Sequence, residues 1–448
     1  MCAGQAVAAG LADPFDSDAL YAAGPGDSVG GKLRTPCRAQ ADKSPLTLTE
    51  VVDQALCNNP QTRLAWANAR AQAAQVGIAE SAYLPTLSAT AGRSRNTGNT
   101  GTTVTYNQTT GALSASYLLY DFGGREATLE NARQLMAALA ATQDATLQAV
   151  FLAAVQAYYQ WFAAEAAVVA ARESEHASAE SLKAAEARYR IGTGTPADKL
   201  QAQTAASQAT LTRIQAEGNA RTALGVLANA MGRDAHDAPD VAPPADAAPA
   251  PVFERKLAEL IAAAKSSRPD LAAAEAQVKA ARAGVDAARA TGMPTISLTA
   301  GNSYSDAGLF GTTRGTSVGV AVAIPLFSGF GTTYRVRNAE AQLEAKAAQH
   351  DQLAKQVSLD VWRSYYALAT GTEAVRASAD LVASAAASEK VATGRYQAGV
   401  GGILDLLNAQ SALASARQQN IQALFNWRIA KTALALAMGQ LDFTQIDK

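Results

Sequence analysis

The apolar positions of this chain follow two periods, and the switches between them divide it into elements. From Leu46 to about Tyr83, apolar and small residues recur at helical spacing among Gln, Arg and Glu. Thr47 and Glu50 are placed as a capping box at the start, and Asn59-Pro60 restarts the helix. Leu84-Pro85 ends it, because the residue before a proline is pushed out of the α region. The period then falls from about 3.6 to about 2. Leu87, Ala89 and Ala91 alternate with Ser88, Thr90 and Gly92, and Leu113, Ala115, Tyr117 and Leu119 alternate with Ser114, Ser116 and Leu118. This predicts a β-hairpin with strands over about 86–94 and 112–120, joined by a Gly/Asn/Thr loop from about Arg95 to Gly111. Tyr120-Asp121-Phe122-Gly123-Gly124 closes the hairpin. A helical pattern then runs unbroken from Arg125 to about Ile191, enough to span roughly 100 Å at about 1.5 Å per residue. Pro196 opens a return helix that reaches Met231-Gly232.

The whole pattern occurs twice. Pro60 is answered by Pro269 and Pro85 by Pro294, both at an offset of 209. From Leu119, answered by Leu326, the offset is 207, and it stays 207 at Tyr158/Tyr365, Arg188/Arg395, Gly192/Gly399, Asp198/Asp405, Gln203/Gln410 and Met231/Met438. Only the hairpin loop changes length, so one unit was duplicated and kept in register. The first repeat covers 46–232, with its helix-hairpin tip at about 188–198. A Pro/Ala-rich linker covers 233–251. The second repeat covers 252–448, with strands at about 295–303 and 316–324 and its tip at about 395–405.

Composition narrows the class. Hydrophobic residues make up 48% of the chain but aromatics only 6%, and much of the apolar total is Ala, which favours long, closely packed helices over one bulky core. A net charge of -1 gives no reason to expect a nucleic-acid partner. There is no run of 18 or more apolar residues, so no transmembrane helix is expected, while a β-barrel stays open because its strand signal is weak. His176, His236 and His350 are isolated, and no phosphate loop, dinucleotide fingerprint or nucleophile elbow occurs, so no metal, cofactor or catalysis is expected.

Four strands cannot close a barrel, and open edges in lipid leave backbone groups unpaired at several kcal/mol each. Strands that enter a bilayer must therefore be shared among several chains. Tyr83, Tyr120, Phe122, Phe327 and Phe330, where strands meet helices, suit an aromatic girdle at one membrane interface. The competing reading is a soluble coiled-coil scaffold with two surface hairpins.

The duplicated helix-hairpin-helix plan, Leu84-Pro85-Thr86, Pro325-Leu326-Phe327-Ser328-Gly329 and the two Arg-Tyr-x-x-Gly-x5-Asp turns together resemble the TolC-like outer-membrane factors, over roughly residues 46–440. The resemblance implies a mainly α fold with a small membrane β part, in which four strands per protomer build a trimeric 12-stranded barrel continued by a long periplasmic α-helical barrel. It implies a passive exit duct in the outer membrane of a Gram-negative cell. Its partners would be outer-membrane lipid, a periplasmic adaptor and an inner-membrane ABC or RND transporter.

The resemblance also assigns the hairpin tips to the periplasmic entrance. Asp405 matches the position of an inward-facing acidic ring, which would attract cations. Asn408 stands where a second acidic residue is known, and Gly401 where an arginine helps to lock the tip, so a single, weaker ring and a different latch are expected. Tyr396 and Asp198 match positions that tie neighbouring hairpins together. On their own chemistry, Gly192 and Gly399 serve left-handed turn geometry, Asp198 and Asp405 suit a helix N-terminus, and Arg188, Tyr189, Arg395 and Tyr396 can simply pack locally.

Residues 1–8 end in Ala6-Val7-Ala8 and read as the tail of a secretory signal, followed by an extended arm over 9–45. In an oxidising compartment Cys37 and Cys57 form a disulfide candidate, with two free thiols as the alternative. The lack of a visible lipobox and the cysteine-bearing arm favour type I secretion over multidrug or metal efflux.

Overall fold

The computed structural model describes residues 13–28, 45–99, 103–244 and 256–441. The signal remnant at 1–8, most of the arm including Cys37, and linker residues 245–251 lie outside the described residues. Among the described residues, one series of elements occurs twice. The first comprises α1 (Leu48–Asn58), α2 (Pro60–Ser81), β1 (Thr86–Asn99), β2 (Thr103–Tyr120), α3 (Gly124–Arg190) and α4 (Pro196–Ala230). The second comprises α5 (Leu257–Ser267), α6 (Pro269–Ala290), β3 (Thr295–Asp306), β4 (Thr312–Ala323), α7 (Gly331–Gln397) and α8 (Ile403–Ala437). Each helix equals its counterpart in length, at 11, 22, 67 and 35 residues. The compact units do not follow the repeats. One takes Ala67–Ala141, Leu271–Leu353 and described residues up to Ala22, and the other takes Ala23–Trp66, Thr142–Asp270 and residues from Ala354 onward.

The first unit holds an antiparallel sheet in the order β1-β2-β3-β4. Leu87 lies opposite Ala115, Ala115 opposite Ala300, and Ala300 opposite Val318. Because side chains alternate, this row fixes both faces. One carries Leu87, Leu113, Leu298, Val318, Val320 and Val322. The other is lined by small polar groups such as Ser88 and Ser114, whose hydroxyls meet at 2.6 Å.

The strands run further than the alternation predicts. β1 reaches Asn99 and β2 starts at Thr103, so most of the expected Arg95–Gly111 loop is ladder, and β3 and β4 likewise extend to Asp306 and back to Thr312. Beyond the apolar rows the ladder continues with polar residues on both faces, where Asn96 donates to Gln108 at 2.8 Å and Gln108 to Ser305 at 3.0 Å. Backbone pairing persists there without hydrophobic alternation, which is why the pattern missed it. Leu119 is also not simply on the apolar face. A register shift between Leu118 and Tyr120 places Tyr120 opposite Ile296, turning that aromatic onto the apolar side. α2 ends at Ser81 rather than Tyr83, and its last residues close into tight turns before Pro85. In the same unit, Ala69, Ala73 and Val76 of α2 pack on Leu129, Ala132 and Met136 of α3, small residues allowing close approach.

In the second unit, the expected box at α1 is present: Glu50 N–H donates to Thr47 Oγ1 at 3.4 Å and Thr47 N–H to Glu50 Oε2 at 2.7 Å. Val52, Ala55 and Leu56 of α1 are buried against Leu147, Phe151 and Val155 of α3. Each large side chain so buried contributes about 1.5–3 kcal/mol. Tyr158 is buried with Leu227 and Met231 and donates to the Ala242 carbonyl at 2.7 Å, which makes it a packing residue. α3 contains one stretch apolar enough by composition to cross a membrane, although polar residues interrupt it and no unbroken apolar run of that length occurs. Leu147, Phe151 and Val155 of α3 lie in the core of this unit. Cys57, on α1, is disulfide-bonded.

Candidate functional site: the two helix-hairpin turns

The turns that reverse the long helices share one geometry. In the first, Gly192 has a φ of 79°, its N–H donates to the Tyr189 carbonyl at 3.1 Å, and the Thr193 N–H donates to that of Arg188 at 3.0 Å. In the second, Gly399 has a φ of 81°, with the matching bonds from Gly399 to Tyr396 at 3.1 Å and from Val400 to Arg395 at 3.0 Å. A left-handed glycine thus satisfies the last carbonyls of α3 and of α7.

The helices that follow begin differently. Thr195 caps α4, with Asp198 N–H donating to Thr195 Oγ1 at 3.1 Å and Thr195 N–H donating to Asp198 Oδ2 at 3.0 Å. Gly402 takes that place before α8 and offers no side chain. Asp405 therefore holds the same first-turn position without the reciprocal bond. Among the described residues no hydrogen bond or ion pair engages its carboxylate, and both Asp405 and Asn408 are exposed. At Gly401 a Cβ would stand 3.0 Å from the Arg395 Cβ and 3.2 Å from the Arg395 carbonyl carbon. The turn is closed over that position, and a side chain there would require its neighbours to give by a few tenths of an ångström.

Between the turns, Arg188 lies over Tyr396. Its guanidinium carbon is 4.2 Å from the ring centroid, and Nη2 donates to the Tyr396 carbonyl oxygen. Tyr396 is 4% exposed and packs with Ala185, Ala202, Ile403 and Leu406. Burial pushes the Tyr396 phenol above the usual tyrosine range; Arg188 pulls it back, and the Asp198 carboxylate adds to the rise. Asp198 thus reaches Tyr396 through space, while its own carboxylate is held by the cap.

Two polar contacts continue this seam between α3 and α8. Gln410 Nε2 donates to Ser181 Oγ at 3.0 Å, and Arg417 pairs with Glu173 at 2.7 Å. Glu173, Ser181 and Arg188 stand eight and then seven residues apart, which keeps them on one face of α3. The repeat counterparts are not so engaged. Arg395, Ser388 and Gln203 are exposed and without side-chain partners among the described residues. Tyr189 is 45% exposed, with the Lys199 ammonium 5.9 Å from its ring centroid. The sequence singled out Arg188 and Tyr396 but not their contact, and it missed Thr195 and Ser181. A repeated Gln at 203 and 410 was the only signal for the latter.

The five junction aromatics belong to the other unit. Tyr83 lies under the Arg125 guanidinium at 4.8 Å, Tyr120 meets Phe122 edge-on at 4.8 Å, and Phe327 meets Phe330 at 5.5 Å. Phe122-Gly123 and Gly329-Phe330 both take two successive positive φ values before the long helices start. Each Phe holds a conformation that bulky side chains avoid, at a cost of about 1–3 kcal/mol. Among the described residues no group of His, Cys, Asp and Glu is placed to hold a metal ion.

The sequence profile of the outer membrane efflux protein family matches residues 51–233 and 260–440. The chain is 36% identical to Protein CyaE of Bordetella pertussis, over 92% of this chain and 88% of that one. It is 28% identical to the outer membrane efflux protein BepC of Brucella suis, over 89% and 87%. Among solved structures, the outer-membrane channel OprN matches with a TM-score of 0.79 at 23% identity, covering 88% of this chain and 90% of that one. The Campylobacter jejuni CmeC outer membrane channel matches with a TM-score of 0.80 at 19% identity, covering 92% and 93%. The chain belongs to the outer membrane efflux protein family, the Gram-negative outer-membrane channels that continue as a periplasmic tunnel.

Proposed function

We propose that three copies close head to tail into one conduit, with a 12-stranded barrel in the outer membrane and the hairpin turns at the periplasmic entrance. The carrying observation is the seam that is filled on one side and open on the other. Arg188 on Tyr396 and Ser181 on Gln410 join the repeats within a chain. At an offset of 207 their counterparts are Arg395, Tyr189, Ser388 and Gln203, all exposed. Closure would bring Arg395 onto Tyr189 of the next copy and Ser388 onto its Gln203, repeating the same contacts. Asp405, free of the bond that holds Asp198, would face the entrance with Asn408. A Ser388→Cys/Gln203→Cys double variant, oxidised in membranes, tests this. Covalent trimers are expected, and a ring that stays uncrosslinked while three copies remain associated rules out this seam.

The exported cargo in this reading is a polypeptide, as in type I secretion, delivered by an inner-membrane ABC transporter through a periplasmic adaptor. The conduit itself contributes passage and gating, with energy supplied by the partners. The relatives named as efflux-pump components stand at 28% identity, whereas Protein CyaE stands at 36%. A deletion strain should lose a specific protein from the medium and keep its tolerance of drugs and metals. The reverse outcome would assign the conduit to efflux.

A further inference from the structure

Every charged residue in the four described strands lies on the apolar face of the sheet. They are Arg93 and Arg95 on β1, Asp306 on β3 and Arg314 on β4, and the small-polar face carries none. On β4 that face reads Thr312, Arg314, Thr316, Val318, Val320 and Val322, so the arginine stands just past the apolar run on the side of the strand turns. On β1 the order is Leu87, Ala89, Ala91, Arg93, Arg95. The three arginines are exposed, and among the described residues none forms an ion pair. Arg314 is braced by the Tyr304 ring at 5.6 Å, and Asp306 is held by the Gly308 N–H at 3.0 Å.

β1 and β4 are the two open edges of this sheet, about 14 Å apart across three strand spacings of about 4.8 Å. In a barrel closed from several copies they become neighbours. The β2–β3 pairing, in which Leu113 faces Asn302, is the internal copy of that seam. Carried over by the repeat offsets of 207 and 209, it sets Val320 beside Arg93 of the next copy and Val318 beside its Arg95. Strands of a closed barrel tilt by about 35–45°, which raises each successive strand relative to the last. With that slant, Arg93, Arg95 and Arg314 all stand immediately above the apolar band, at the end away from the helices. In a protein whose helices extend into the periplasm, that end meets the outer leaflet.

We propose that Arg93 and Arg95, with Arg314 of the adjoining copy, bind the phosphates of a diphosphorylated glycolipid in the outer leaflet, one site per subunit seam. Guanidinium groups pair bidentately with phosphate, and three of them without carboxylate partners match a dianionic headgroup whose acyl chains lie along Val318, Val320 and Val322. Arginines serving only solubility or lumen selectivity would have no reason to avoid the polar face. This inference rests on the shared barrel proposed above, so oligomeric state is read in the same samples.

The test uses native mass spectrometry of the full-length protein in detergent, titrated with diphosphoryl lipid A, monophosphoryl lipid A or phosphatidylethanolamine. The wild-type trimer should retain up to three diphosphoryl lipids, monophosphoryl lipid about tenfold more weakly, and phosphatidylethanolamine not at all. Arg93→Gln/Arg95→Gln/Arg314→Gln should lower retention at least tenfold with the trimer intact, and Arg335→Gln, at the other end of the sheet, should leave it unchanged. Should the triple variant not assemble, the single variants Arg95→Gln and Arg314→Gln are read instead, each expected to lose several-fold. Equal retention by an intact variant trimer overturns the lipid site, as does displacement by inorganic phosphate at matched concentration. A protein that is monomeric throughout overturns the shared barrel instead.

Discussion

The Arg188 guanidinium carbon lies 4.2 Å from the centroid of the Tyr396 ring, and the same side chain donates to the Tyr396 carbonyl. One residue thereby holds the end of α3 to the end of α7, two helix termini 208 positions apart in the chain. The contact is half-buried, and it closes the helix end that carries Gly399.

Arg188→Ala should loosen the turns. A cation–π contact contributes about 0.5–2 kcal/mol and a charged hydrogen bond about 1.5–3 kcal/mol, less than additively. In planar bilayers the variant should conduct more and spend more time open, and Arg188→Lys should recover part of the closed state. Conductance equal to wild type would show that this contact does not restrain the entrance.

Asp405 and Asp198 should separate by assay. Asp405→Ala is expected to weaken divalent-cation block of the channel while leaving thermal stability within about 0.5 kcal/mol. Asp198→Ala removes half of a capping box and should cost about 1 kcal/mol with little change in block. Block by divalent cations that survives Asp405→Ala would exclude that carboxylate as the cation site.

Gly401→Arg should fail to install a latch. Its Cβ would meet Arg395 at 3.0 Å, so the turn must give by a few tenths of an ångström, at a cost of about 1–3 kcal/mol. Limited trypsin digestion should cut the variant faster at Arg395 than wild type. Gly194→Ala, where a Cβ would meet Arg188 at 3.1 Å, should weaken the first turn in the same way.

Burial raises the Tyr396 phenol above its ordinary value of 10.0. Its neutral form is therefore favoured by folding, and the associated stability is fully present below the ordinary tyrosine pKa. That contribution is lost as pH rises through the higher folded value. Burial raises the Tyr158 and Tyr159 phenols as well, so an ultraviolet titration of the folded protein should show a group of tyrosines ionising late, and Tyr396→Phe should shrink that component by one tyrosine.

The sequence by itself determined the duplication, the helix lengths, the left-handed glycines and the apolar strand faces. Each of these is written in local spacing: a 207-residue offset, a 3.6 or 2.0 period, or a glycine two residues past a helix end. It also named Arg188, Tyr396, Asp198 and Asp405, because they recur at fixed places around both turns. Only the tertiary structure decided how these residues divide the work. Thr195 ties Asp198 into a cap, whereas Gly402 offers Asp405 no such cap. Arg188 finds Tyr396 within the chain, whereas its copy Arg395 has no side-chain partner among the described residues. Two identical motifs acquire different roles because one repeat packs against the other, and the far edge of the second repeat has no counterpart in the same chain. The polar ends of the strands were illegible for a related reason. Backbone pairing holds them, and backbone bonds leave no period in the side chains.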